Sequence, residues 1–71
     1  MESVDRIVRD RERRAITGIG RSTAFELERR GEFPRRVGLP GGRVGWRMSE
    51  LQEWVRSRRP VVVGDRDPEA A

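Results

Sequence analysis

The sequence contains no cysteine, histidine, lysine, asparagine or tyrosine. Without cysteine or histidine it has no zinc finger, no disulfide framework, no thiol nucleophile and no imidazole base. A chain lacking cysteine also needs no oxidising compartment. The longest apolar run is Val61–Val63, far short of the ~20 residues that a membrane-spanning helix requires. No N-terminal apolar stretch resembles a secretory signal. The expected setting is therefore the cytoplasm, with no membrane partner.

Catalysis lacks its parts too. Ser22 and Ser49 have no His or Lys to serve as base. Gly18-Ile19-Gly20 lacks the third glycine of a dinucleotide fingerprint, and Gly41-Gly42 is not followed by the Lys-Ser or Lys-Thr of a phosphate-binding loop. Carboxylates such as Glu26 and Glu28 fall on an arginine-rich helix with no room for a pocket. These absences describe a binding module and not an enzyme, with no cofactor and no metal.

A length of 71 residues allows one small domain with a thin core. Charged residues (39%) outnumber hydrophobic ones (34%), yet two Trp, two Phe and a spread of Leu, Ile and Val argue against disorder over most of the length. All 16 basic residues are Arg, against 12 Asp and Glu, for a net charge of +4. The excess sits in residues 21–47, with seven Arg and three acids, where a polyanion would dock. Exclusive use of Arg suits bidentate contacts to phosphate and guanine, and coding bias in a GC-rich genome produces the same composition.

Ile7-Val8 reads as a brief strand or extended lead-in. Asp10 is placed as N-cap of a first helix running to about Thr17, with Glu12 in its favourable first turn and only Ala15 and Ile16 on its apolar face. Gly18 stops it. After a turn of about three residues, a second helix runs from Arg21 to Arg30, with Gly31 just past its end and Pro34 blocking extension. This is a helix-turn-helix. A wing follows: Arg35–Leu39 as a strand, Pro40-Gly41-Gly42 as the turn, and Arg43–Trp46 as the returning strand. A third helix starts near Ser49, with Ser49 and Gln52 at capping-box spacing, Leu51, Trp54, Val55 and Arg58 on one face, and Pro60 at its end. The acidic segment beyond is expected to be disordered. The Val61–Val63 run has a second reading, as an edge strand between protomers or a segment packed back on Trp54.

At 100° per residue, Ala24, Leu27 and Gly31 form the packed face of the second helix. Ser22, Phe25, Glu26 and Arg29 lie opposite, flanked by Arg21, Thr23 and Arg30. Such a helix suits the major groove of DNA, entered by its N-terminal residues. Arg29 would reach guanine or phosphate, Ser22 a base edge or phosphate, and Phe25 a thymine methyl. Against these stand a core-filling role for Phe25 and a pairing of Glu26 with Arg29 or Arg30. Arg35, Arg36 and Arg43 on the wing and Arg47 at the strand end would meet the backbone.

The string Thr17-Gly18-Ile19-Gly20-Arg21-Ser22-Thr23-Ala24-Phe25, followed in order by Gly31-Glu32-Phe33-Pro34, Val37, Leu39, Gly42-Arg43, Val44-Gly45-Trp46-Arg47 and Ser49-Glu50-Leu51 with Trp54, resembles the AlpA-type phage regulators. These are small winged-helix proteins related to excisionases and to the DNA-binding domains of MerR-type regulators. The resemblance covers about residues 6–58. It implies a DNA-binding protein of a prophage or mobile element, with DNA-contacting roles for Arg21, Ser22, Thr23, Phe25 and Arg29 on the second helix and for the wing near Arg43. Three positions depart from the family pattern. Gly20 stands where a Ser N-cap is usual, Arg13 replaces an apolar residue that packs the first helix, and Glu26 replaces a residue that is commonly basic. The Arg13 change predicts a first helix that is marginal or rotated.

The reading at this point is a mainly α domain with a small β-hairpin, a winged helix-turn-helix of MerR/excisionase-like type. It spans residues 6–59 between a flexible N-terminus (1–5) and an acidic tail (60–71). The expected function is sequence-specific transcriptional regulation, in the cytoplasm and associated with the nucleoid. The alternatives are an excisionase that bends attachment-site DNA and recruits an integrase, and, in another class, a protein-interaction adaptor. Expected partners are double-stranded DNA, an integrase or RNA polymerase, and a second copy of the chain on DNA. The expected DNA-binding residues are Arg21, Ser22, Thr23, Phe25, Arg29, Arg30, Arg35, Arg36, Arg43 and Arg47.

Overall fold

The computed structural model describes residues 5–61. The expectations for residues 1–4 and for 62–71, most of the acidic tail, lie outside the described residues. In chain order the elements are β1 (Ile7–Val8), α1 (Asp10–Thr17), α2 (Arg21–Arg29), β2 (Val37–Leu39), a tight helical turn at Pro40–Gly42, β3 (Arg43–Arg47) and α3 (Met48–Arg56). The three helices carry a small antiparallel sheet of order β1-β3-β2. The fold is mainly α with a β-hairpin, a small helix-turn-helix arrangement with the hairpin in the place of a wing.

The sheet is registered by Val8↔Trp46 and Ile7↔Arg47 on one side of β3 and by Val37↔Gly45 and Leu39↔Arg43 on the other. Pairing with Ile7 carries β3 one residue past the expected end, to Arg47. β2 is shorter than expected: Arg35 and Arg36 precede it as a linker. The hairpin turn works because Gly41 and Gly42 both adopt positive φ (83° and 76°), which L side chains rarely do. Gly45 is required for a different reason. A Cβ there would lie 2.5 Å from Ile7 Cγ2 and 3.0 Å from the Val8 carbonyl oxygen, so β1 would have to shift to pair with β3.

Val8, Ala24, Phe33, Trp46 and Leu51 form the core, with Ile16, Ile19, Phe25, Leu27, Met48 and Trp54 packed around it. Each large side chain fully buried contributes about 1.5–3 kcal/mol. Trp54 closes one end, edge-on to Phe33 at 5.0 Å between ring centroids, and donates from Nε1 to the Glu32 carbonyl at 3.0 Å.

Several local expectations are corrected. Asp10 is the first helical residue and not the N-cap; Arg9 holds the cap position without a side-chain bond. The Asp10 carboxylate turns instead to the Arg13 guanidinium at 2.8 Å, where it serves as counter-charge to a buried cation. Ala15 is exposed, and the buried residue of α1 is Arg13. The helix is well formed despite this, since the buried guanidinium has acceptors. Gly31 is exposed rather than packed. At φ 76° it terminates α2, and the Glu32 N–H then donates to the Leu27 carbonyl at 2.8 Å. α2 itself ends at Arg29, with Arg30 as its cap.

α3 begins at Met48 rather than Ser49, and no Ser49–Gln52 box forms. Its start is capped from a distance. Asp5 accepts from the Ser49 N–H (2.9 Å) and from the Ser49 hydroxyl (2.7 Å). Asp5, assigned by the sequence reading to a flexible N-terminus, is thereby tied to the domain. Those two bonds hold its carboxyl below the usual carboxylate range. α3 ends at Arg56, ahead of Pro60, where Ser57 caps it through a hydroxyl donation to the Trp54 carbonyl at 2.7 Å. Val55, expected on the packed face, is 39% exposed.

Candidate nucleic-acid interface

α2 is fixed by one residue deep in the core, Ala24, with Leu27 beside it. That leaves Arg21, Ser22 and Thr23, the whole first turn, exposed at the helix end where unpaired backbone N–H groups and the positive end of the dipole lie. Phe25 is half-buried against the core, and two arginines cover it. The Arg36 guanidinium carbon lies 4.2 Å from the ring centroid and that of Arg21 lies 6.0 Å away. Phe25 thus braces the surface and gives Arg36 a place to lie.

Most arginines of the expected site are engaged with acids. Glu26 pairs with Arg29 one turn on, Arg30 with Glu32 at 3.1 Å, and Arg36 with the mostly buried Glu28 at 2.9 Å. Arg21 approaches Asp10 at 3.6 Å and Arg47 approaches Glu50 at 4.0 Å, both loosely. Arg35 and Arg43 form no ion pair among the described residues, and both are exposed.

The structure brings these residues together in three places. Arg21, Ser22 and Thr23 share the start of α2. Arg29, Arg35 and Arg36 line an open cleft of about 460 Å³ with Glu28, Gly31 and Phe33. Arg35, Arg36 and Arg47 line a second, of about 570 Å³, against Ser49, Glu50 and Glu53. The Arg35-Arg36 linker therefore stands between the α2 end and the α3 start. Arg43 is apart from both clefts, at the hairpin turn.

Sequence reasoning left Arg9 and the arginines of α1 out of the site. Arg9, Arg11 and Arg14 are exposed and form no ion pair among the described residues. Arg13 is fully buried, donating from Nη1 to the Ile19 carbonyl (2.6 Å) and from Nη2 to Asp10 Oδ1 (2.8 Å), with its guanidinium carbon 5.3 Å from the Trp46 ring centroid. The bond from Arg13 is the main reason the Asp10 carboxyl lies below the usual range, and the positive fields of Arg13, Arg21 and Arg14 add to it. The i, i+3 spacing of Asp10 and Arg13 was the available signal. Among the described residues no group of three or more His, Cys, Asp or Glu gathers to hold a metal ion, and no helix is long and apolar enough to cross a membrane.

The sequence model of the family described as "Prophage CP4-57 regulatory protein (AlpA)" matches residues 6–59. The chain belongs to the AlpA family of prophage regulatory proteins. A curated relative, the uncharacterized protein ORF88 of Enterobacteria phage P4, is 43% identical over 54 residues, an alignment covering 76% of this chain and 61% of the relative. The chain thus spans less than two thirds of that relative's length. No solved structure matches it. The AlpA match begins at Arg6 and ends at Arg59, so it takes in α2, both clefts and the hairpin.

Proposed function

We propose that the chain is a sequence-specific DNA-binding transcriptional regulator of a prophage or mobile element. In this reading α2 enters the major groove by its first turn, and Arg43 on the hairpin meets the backbone. The observation that carries the reading is the construction of α2: one buried alanine anchors it, and its first turn offers Arg21, Ser22 and Thr23 wholly to solvent. A helix start of this kind supplies a guanidinium and two hydroxyls to base edges, and N–H groups to a phosphate. Arg35 and Arg43, which carry no acidic partner among the described residues, supply backbone attraction without sequence preference. Membership of a family of prophage regulators supports the same reading.

The test is selection of bound duplexes from a random pool at two salt concentrations, followed by sequencing. Enrichment of one motif with salt-dependent affinity is the expected result. Salt-dependent binding with no motif would remove the claim of specificity and favour a directionality factor that takes its specificity from an integrase. No duplex binding at either salt would overturn the DNA-binding reading and favour a protein adaptor.

A further inference from the structure

The buried guanidinium of Arg13 is more than filler. An apolar side chain of similar volume would occupy the space without needing a carboxylate, and such replacements of buried ion pairs are often neutral or stabilising. Its donors go to two defined places. Nη1 reaches the Ile19 carbonyl, inside the turn that joins α1 to α2, and Nη2 takes Asp10 Oδ1. The second oxygen of the same carboxylate, Oδ2, lies 3.6 Å from Arg21 Nη2. Asp10 is therefore a bridge with one fixed end. Its Oδ1 is anchored on a fully buried, twice hydrogen-bonded side chain, and its Oδ2 faces the first arginine of α2. Arg21, 67% exposed and long, would otherwise sample many rotamers. Its other neighbour is the Phe25 ring at 6.0 Å, so both of its contacts bias it toward the start of the helix.

We propose that Asp10, locked by buried Arg13, is a positioning residue that fixes where Arg21 points and so sets the sequence discrimination of the first turn of α2. The inference rests on the DNA-binding reading above. An acid beside a DNA-facing arginine has two opposed effects. It repels phosphate, lowering affinity for every duplex, and it pre-orders the arginine, so that only the matching base or phosphate position is met at full strength. A network placed here gives up general affinity and gains discrimination.

The test compares the full chain with Asp10→Asn, Arg21→Ala and the double variant, each titrated against the duplex enriched by the unsubstituted protein and against a scrambled duplex. Asn keeps an acceptor for Arg13 Nη2 and removes the charge that holds Arg21. Asp10→Asn is expected to bind the scrambled duplex more tightly while the ratio of the two affinities falls about five- to tenfold. It should also melt lower, because Asn leaves the buried Arg13 without its counter-charge, so the titrations are run well below its melt. In the Arg21→Ala background, Asp10→Asn should leave the ratio unaltered. A structural role alone would not produce that dependence on Arg21. An unchanged ratio in Asp10→Asn overturns the proposal, as does a fall that persists in full without Arg21. If Asp10→Asn does not fold at the titration temperature, Arg13→Met tests the anchor instead: the Asp10 carboxylate loses its fixed end, the ratio is expected to fall, and a preserved ratio in that variant overturns the proposal. Failure of the unsubstituted protein to enrich any duplex would instead remove the DNA-binding reading itself.

Discussion

The number of arginines available to DNA is the quantity most open to challenge by experiment. Seven arginines belong to the expected interface: Arg21, Arg29, Arg30, Arg35, Arg36, Arg43 and Arg47. Each phosphate neutralised contributes about 0.9 to the slope of log affinity against log salt, so seven independent contacts would give a slope near −6. The ion pairs reduce this. Arg29, Arg30 and Arg36 each sit against a glutamate. An arginine that leaves its glutamate for a phosphate releases one counterion from DNA and exposes a carboxylate that recruits another cation. The net release is close to zero. Only Arg35 and Arg43, with the loosely held Arg21 and Arg47, remain, and the slope contributed by these seven falls to about −4 or shallower.

The decisive comparison deletes a pair instead of a charge. Glu26→Ala/Arg29→Ala leaves the net charge unaltered and should leave the salt slope unaltered, whereas Arg43→Ala should flatten it by about 0.9. Fluorescence anisotropy with one duplex at four or more salt concentrations measures both. If the pair deletion flattens the slope as much as Arg43→Ala does, Arg29 releases a full counterion at a phosphate while the freed Glu26 recruits none, and the counting is wrong. A shift of the enriched motif in the pair variant would show in addition that Arg29 reads a base.

Gly45→Ala should melt lower: overpacking costs about 1–3 kcal/mol, of which the stiffer unfolded chain offsets about 0.4–1 kcal/mol, and an unchanged circular-dichroism melt would contradict the 2.5 Å approach of Ile7. Arg36→Ala should lower thermal stability by breaking the Glu28 pair and uncovering Phe25, while Arg35→Ala should weaken DNA binding with no change in melting; the reverse pattern would reassign both residues. Asp5 and Asp10 both have folded carboxyls held below their usual range, so the unfolded chain binds more protons near pH 4. The stability they lend is complete above the unfolded carboxylate value of about 3.9 and drains away as pH falls through the lower folded values. Asp5→Asn should flatten the acid limb of a melting-against-pH curve, and an unaltered limb would show that the Ser49 bonds carry no weight.

What the sequence made legible was local. Gly18 and Gly31 mark helix ends because a chain leaving a helix there needs a conformation that glycine tolerates, and Pro40-Gly41-Gly42 marks the hairpin turn for the same reason. Ala24 and Leu27 fall on the packed face of α2 from periodicity alone. The features that sequence reasoning missed depend on distance along the chain or on a choice among equals. Asp5 caps α3 from 44 residues away, so the capping-box spacing of Ser49 and Gln52 offered a plausible and wrong substitute. β1 was legible only as a pair of alternatives, a brief strand or an extended lead-in at Ile7-Val8, and its register on β3 decides for the strand. Arg13 defeated the apolar-face rule because its burial is made possible by Asp10, the Ile19 carbonyl and the Trp46 ring, of which only Asp10 lies within a helical turn of it. The candidate site suffered most from choice: Glu26 had two arginines within reach, and composition does not say which one it takes.

The same arginines that make the chain look like a nucleic-acid binder also finish its core. Among the described residues only five hydrophobic ones are buried outright, and three aromatic rings in and around that core are covered by cations. Arg36 lies 4.2 Å from Phe25, Arg58 lies 4.2 Å from Trp54, and Arg13 lies 5.3 Å from Trp46. Each stem shields apolar surface that a larger domain would cover with leucine or isoleucine, and each head finds a π face worth about 0.5–2 kcal/mol. Arginine suits this role better than lysine, since its planar group stacks on a ring and still reaches a carboxylate or carbonyl. Arg13 and Arg36 do both, with Asp10 and Ile19 in one case and Glu28 in the other. An arginine fixed in this way has little freedom to follow a phosphate. The charge that can follow one therefore includes the Arg35 linker, the hairpin at Arg43, and Arg9, Arg11 and Arg14 about α1, which are exposed and form no ion pair among the described residues. The surplus of basic over acidic residues measures how the fold is closed as much as how it binds.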